Sequence, residues 1–155
     1  MSDVLEAIYR GDAEEAERLA ARRELDVFEA AALGRTERLR ELLAAEPEAA
    51  NAWADDGFQP LGLASFFGHT DAVRLLLAHG AEVNSASRNQ MKVMPLHSAA
   101  AAQDPSLRYE IAKLLLDAGA DPNARQQDEY TPLMAADQHG DTRLRELLVA
   151  HGATG

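Results

Sequence analysis

Cysteine is absent from this chain, which excludes disulfides and thiolate metal sites without identifying a redox compartment. Aromatic residues are scarce, at 5% against 46% hydrophobic residues overall, so the core must be built mainly from Ala and Leu. Such small side chains suit helices packed close together. Basic residues are outnumbered: 15 Lys and Arg stand against 26 Asp and Glu, for a net charge of −11. A phosphate-binding surface needs clustered cations to displace counterions, so the balance argues against nucleic acid and against anionic membranes. A basic partner surface is compatible with the acid excess, which also serves plain solubility. No apolar run approaches the ~18 residues of a membrane span. The opening Met1-Ser2-Asp3-Val4-Leu5-Glu6 lacks the basic start and apolar stretch of a signal peptide. The expectation is a soluble, cytoplasmic protein.

Catalytic signatures are also missing. There is no G-x-S-x-G, no P-loop and no G-x-G-x-x-G. The acid pairs Asp55-Asp56 and Asp128-Glu129 fall on predicted loop tips. Paired carboxylates do acid–base work only where burial or a neighbour separates their pKa values, and an exposed tip supplies neither. The five histidines show no metal-ligand spacing. A non-catalytic chain without metal or cofactor is expected.

What is present is a line of text that recurs. Gln59-Pro60-Leu61 leads to Leu75-Leu76-Leu77 and then Gly80-Ala81-Glu82-Val83-Asn84. Met94-Pro95-Leu96-His97 leads to Leu114-Leu115-Leu116 and then Gly119-Ala120-Asp121-Pro122-Asn123-Ala124. Thr131-Pro132-Leu133 leads to Leu147-Leu148-Val149 and then Gly152-Ala153. A unit of this size is a helix-turn-helix brick that buries its apolar face only by stacking on its neighbours.

Aligned on Gly11, Gly34, Gly68, Gln103 and Gly140, the chain divides into five helix pairs. Short Ala-rich helices are predicted over 4–10, 27–33, 60–67, 95–102 and 132–139, and longer ones over 13–21, 37–44, 70–78, 107–118 and 142–150. Thr131-Pro132 and Asp104-Pro105 pair a capping oxygen with a proline that presets φ. Asp12 with Glu15 resembles a capping box. Polar stretches 50–59, 82–94 and 121–131 are predicted as hairpin-like fingers at right angles to the helices. Gly119 to Gly152 gives a base period of 33 residues, and the fourth unit carries extra residues near 88–93 and between its helices at 103–109, from Gln103 to Tyr109.

These residues resemble the ankyrin repeat, with its period of about 33 and its T-P-L-H-x-A signature. Pro95-Leu96-His97-Ser98-Ala99-Ala100 and Thr131-Pro132-Leu133-Met134-Ala135-Ala136 carry the likeness best, with Gly68-His69 and the Gly-Ala-Asp-x-Asn endings beside them. It is firm from Asn51 onward and looser before. The first two units lack T-P-L-H and look like an N-terminal cap. Pro47 stands where a helix-ending glycine is usual, and Glu129 where a finger-tip glycine is usual, which suggests another turn type there. The last unit is expected to close the stack. The implied architecture is an all-α, ankyrin-like α-solenoid of stacked helix-turn-helix pairs with projecting hairpin fingers. It is read as one domain over 1–155, with units near 1–22, 23–50, 51–83, 84–122 and 123–155.

The resemblance implies binding of a protein through the finger tips and the concave face of the short helices. Carried over by position, the contact residues are Trp53, Phe58, Phe66, Phe67, Arg88, Lys92, Arg125, Tyr130 and Gln138. Trp53, Phe58, Phe66 and Phe67 gather in or beside the third unit, and exposed aromatics give contact area at low entropic cost. Each alone is equally explained by packing. Arg88, Lys92 and Arg125 would orient an acidic segment, although such residues are more often simply solvated. The 103–109 insertion is a second candidate surface, balanced against a neutral insertion. The expected protein is a monomer. The alternatives are a scaffold that self-associates through the aromatic patch and, less favoured, a small enzyme or metal protein.

Overall fold

Fully buried alanines in the short helices let the described residues stack ten α-helices in five pairs. The computed structural model describes residues 2–154. The pairs are α1 (Asp3–Tyr9) with α2 (Ala13–Ala20), α3 (Val27–Leu33) with α4 (Thr36–Ala45), α5 (Pro60–Phe66) with α6 (Thr70–Ala78), α7 (Pro95–Ala100) with α8 (Pro105–Asp117), and α9 (Pro132–Gln138) with α10 (Thr142–Ala150). The first helices stack in one layer, α1 on α3, α3 on α5, α5 on α7 and α7 on α9. The second helices form the other layer, α4 on α6, α6 on α8 and α8 on α10. Leu39, Leu43, Leu61, Leu76, Leu96, Ile111, Leu115, Leu144 and Leu148 are fully buried between them, and Ala30, Ala64, Ala99 and Ala136 let the short helices approach closely. Each buried Leu contributes roughly 1.5–3 kcal/mol. No strand is present among the described residues.

Local chemistry sets the helix starts. Ser2, Asp12, Asp26, Asp104, Thr131 and Asp141 each accept a first-turn backbone N–H, and proline opens α5, α7, α8 and α9. The box expected at Asp12 is only half formed. Asp12 accepts from the Glu15 N–H at 3.0 Å, but the Glu15 carboxylate turns to Arg18 instead. The reciprocal box lies at α3, where Glu29 N–H donates to Asp26 at 2.8 Å and Asp26 N–H donates to Glu29 at 3.0 Å. Glu29 is fully buried, and its carboxylate also accepts from Ser2 at 2.6 Å and from Arg23. At the same helical position of α7, His97 Nδ1 accepts the Met94 N–H at 3.2 Å. One imidazole and one carboxylate thus do the same backbone work in different units.

The stretches between pairs are tied to the next unit by a ladder of asparagines. Asn51 donates to the Gly80 carbonyl at 2.9 Å and accepts the Glu82 N–H at 2.8 Å. Asn84 does the same with Gly119 and Asp121, and Asn123 with Gly152 and Thr154. Each clamp fastens the start of a unit to the turn that follows the unit's own second helix.

Three loops take the place of the predicted fingers. The ends of each are joined by a backbone bond, Ala54 to Phe58 (2.8 Å), Ser87 to Val93 (2.8 Å) and Gln126 to Tyr130 (2.9 Å). They are stitched together by Arg88 N–H to the Gly57 carbonyl and Gln127 N–H to the Met91 carbonyl, both 2.8 Å. Gly57 is required at its tip: φ is +89°, and an added Cβ would lie 2.4 Å from the Arg88 oxygen. The third tip has no glycine, yet Asp128 (φ 61°) and Glu129 (φ 62°) adopt the left-handed conformation that a glycine would. The residue type therefore did not change the turn's hand, and an ion pair from Arg125 to Glu129 at 2.5 Å holds it.

The fourth unit departs from the sequence reading. Helix α7 ends at Ala100 rather than 102, and α8 begins at Pro105 rather than 107. Asp104-Pro105 is a working start signal, so the insertion mostly adds a first turn to α8. That turn grips the next unit. Arg108 is buried, donates to the Ala102 and Gln103 carbonyls and pairs with Asp141 at 3.2 Å. Tyr109 lies beneath the Arg143 guanidinium at 3.8 Å.

Candidate functional site

The ends of the short helices and the inner sides of the finger loops enclose a groove of 630 Å³. Its walls are aromatic. Phe66, at the end of α5, is 44% exposed and meets Phe67 edge-on, with ring centroids 4.9 Å apart. Phe67 stacks at 6.2 Å on Tyr9 from the end of α1. The Tyr9 hydroxyl donates to Asp56 at 2.9 Å, tying the first unit to the tip of the first finger. Burial first, then the Asp56 charge, raises the Tyr9 pKa above its ordinary value, so the phenol stays a neutral donor. At the other end the Tyr130 hydroxyl donates to Gln138. Phe58, Val93 and Met91 complete the finger side.

The floor is shallow-sided because its residues are small: Gly62, Ser98, Ala101 and Ala135. Gly62 sits where α7 has His97 and α3 has Glu29, in the third position of the helix. Its backbone does not demand glycine, since its φ is not positive and an added Cβ would meet only Ser98 Oγ at 3.8 Å. Glycine there costs helix stability and leaves open space.

The groove's lining is mainly apolar. His97 borders it, but both ring nitrogens are engaged. Nδ1 accepts from Met94, so Nε2 carries the proton and donates to the Ala124 carbonyl at 3.0 Å. Burial lowers the His97 pKa, which keeps the ring neutral. His69 is half-buried, its pKa lowered by desolvation, and it is bonded through Nε2 to the Ala32 carbonyl at 2.9 Å. Among the described residues no group of three or more His, Asp or Glu converges as metal ligands would.

Of the residues singled out from sequence, Phe58, Phe66, Phe67, Tyr130 and Gln138 line this groove together. Trp53 does not. It borders a separate cleft of 220 Å³ with Ser2, Leu5 and Phe28 at the first two units, and Arg88 lies 4.0 Å over its ring. Arg125 is engaged by Glu129, and Lys92 stands exposed at the second finger tip, outside the lining. Sequence reasoning passed over Tyr9, Met91 and Gly62. Tyr9 had a signal: it falls two residues before Gly11, as Phe66 falls two before Gly68. Gly62 had one too, as the residue in the histidine slot of T-P-L-H.

A second cavity of 370 Å³ lies on the other side of Phe66 and Phe67, lined by Ile8, Ala13, Ala16, Leu33 and Leu107. Gln103, Asp104 and Leu107 bring the 103–109 insertion to its edge.

Residues 27–126 match the family described as ankyrin repeats in three copies. The chain belongs to the ankyrin-repeat family. Ankyrin repeats generally mediate protein–protein interaction, and the family is typically non-enzymatic. Ankyrin repeat, SAM and basic leucine zipper domain-containing protein 1 of Ornithorhynchus anatinus is 40% identical over 96 residues, 61% of this chain and 20% of that protein. Ankyrin repeat and SOCS box protein 16 of Mus musculus is 40% identical over 99 residues, 61% of this chain and 21% of that protein. The ankyrin repeat protein YahD of Escherichia coli is 36% identical over 87 residues, 56% of this chain and 43% of that protein. The chain thus spans less than half the length of each. No described helix is long and apolar enough to cross a membrane.

Proposed function

We propose that this chain is a non-catalytic protein-binding module, a single ankyrin domain of five units acting as a cytoplasmic monomer. The groove between the short helices and the fingers is its binding face. The observation that carries this reading is the aromatic wall of Tyr9, Phe67 and Phe66, with Phe58 lining the same groove, beside a floor of small residues. Exposed aromatic surface next to an apolar hollow favours burial against a partner. The stitched fingers and the asparagine ladder hold that surface ready-made, so binding orders little new chain and the entropic cost is low. Lys92 and Arg125, on the second and third finger loops, extend the face beyond the groove, whereas Trp53 and Arg88 pair with each other outside it.

The test is a partner captured from the native lysate and then titrated, purified, against the wild type and against Phe66→Ser with Tyr130→Ser. Loss of about tenfold or more in affinity, with an unchanged urea midpoint, supports the groove as the site. Equal affinity for both proteins sinks it. One further observation favours a second reading: Phe66 and Met91 are 44% and 47% exposed, and a second copy of the chain would also cover them. A dimer by sedimentation that Phe66→Ser dissociates would replace partner binding by self-association.

A further inference from the structure

The two cavities share Phe66 and Phe67 as a common ridge, with the finger side on one flank and the α1–α2 and α7–α8 turns on the other. Volumes of 630 and 370 Å³ each suit large apolar side chains. A compact ligand would fill one of them. An occupant that fills both must cross the ridge, as a length of polypeptide does. Gly62 deepens the first cavity at a cost to α5 that its backbone does not require, and the insertion of the fourth unit supplies Leu107 and Asp104 to the second.

The fixed charges that line the cavities have one sign. The charged residue lining the first is Asp128, and those lining the second are Glu17 and Asp104; no Lys or Arg lines either. Asp128 has no ion-pair partner among the described residues; of the cations outside the linings, Arg35 pairs with Glu17, Arg125 with Glu129 and Arg88 with the Trp53 ring, while Lys92 and Arg10 stand exposed to solvent. A chain of net charge −11 adds to the same field. Complementarity therefore selects cations on the incoming segment and repels acids.

We propose that the occupant is an apolar, basic segment of a partner protein that lies across the Phe66–Phe67 ridge, one large apolar side chain in each cavity and Lys or Arg facing Asp128 and Asp104. This rests on the module reading above and names its partner chemistry. It reverses the sequence-based expectation of an acidic segment, because Arg88, Lys92 and Arg125 stand outside both cavities.

A random-peptide display library selected on the wild-type protein tests it, with the winning peptide synthesised and titrated. The expected winners carry two large apolar residues separated by a short spacer, with Lys or Arg beside them. Gly62→Leu fills the first cavity and Ala13→Leu, at an exposed position, fills the second; each weakens the winner about tenfold. Asp128→Asn, which keeps the left-handed turn, weakens it about fivefold and flattens its salt dependence. Urea midpoints confirm that every variant is folded. Winners that need Phe66 but are acidic or neutral, or that ignore Ala13→Leu, overturn this inference and leave the module reading standing. No enriched peptide, or winners indifferent to Phe66→Ser, overturn both.

Discussion

Arg108→Ala should be among the costliest single changes outside the apolar core. The Arg108 side chain is 8% exposed and so is that of its partner Asp141. The guanidinium makes three bonds, to the Ala102 carbonyl, to the Gln103 carbonyl at 3.0 Å and to the Asp141 carboxylate at 3.2 Å. Truncation leaves a buried carboxylate without its cation, a situation that costs about 3–5 kcal/mol. The lower end applies here, because Asp141 still caps α10 through the Leu144 N–H at 3.0 Å. We expect about 3 kcal/mol, with Arg74→Ala as the control. Arg74 pairs with Asp71 at side-chain exposures of 53% and 78%, and its loss should cost about 0.5 kcal/mol or less. Urea unfolding by circular dichroism gives the difference, and Asp141→Asn completes a double-mutant cycle with an expected coupling of about 1–2 kcal/mol. Trp53 lies in the first finger beside the first two units and reports that end of the array, whereas Arg108 holds α8 to the fifth unit. In Arg108→Ala the dichroism transition should therefore begin at lower urea than Trp53 fluorescence. An Arg108→Ala penalty no larger than that of Arg74→Ala, with coincident transitions, would refute the assignment of the insertion as a clamp on the last unit.

Acid should loosen the first units through Glu29. Burial alone would raise its pKa, but the bonds from Arg23, the Asp26 backbone and Ser2 outweigh that and hold it below the ordinary carboxylate value. A depressed folded pKa stabilises above the unfolded value and loses that contribution as pH falls through the folded one. Glu29→Gln should thus cost about 1–2 kcal/mol near neutrality, with the gap to wild type closing on acidification below the usual Glu range; a gap independent of pH would contradict the cause given. Two glycines should respond with opposite signs. Gly57→Ala meets the Arg88 carbonyl at 2.4 Å in a left-handed turn and should destabilise by about 2 kcal/mol or more, whereas Gly62→Ala has room and should stabilise by about 0.5–1 kcal/mol in the same urea assay. Equal effects at the two sites would show that the groove floor is not open space.

Much of this was legible because it is local. Thr131-Pro132, Asp104-Pro105 and the Gly-Ala-Asp-x-Asn endings act within three or four residues, so their spacing alone located the helices. Asp12 and Glu15 show the limit of that reasoning: the pattern was present, but Arg18 lay one turn on and took the carboxylate. Glu129 shows another limit, since it adopts a left-handed conformation that non-glycine residues seldom take.

The sequence by itself determined the repeat, the all-helical class, the family and the aromatic residues that gather at the third unit. These follow from periodicity and from side chains that cap or pack next to their own position in the chain. The tertiary structure alone decided what those aromatics face. Tyr9 reaches Asp56 across 47 positions and Arg108 reaches Asp141 across 33. Trp53 and Arg88 pair away from the groove, while Gly62 opens its floor. No period encodes such contacts, because they arise where stacked units with different residues at equivalent positions come into register.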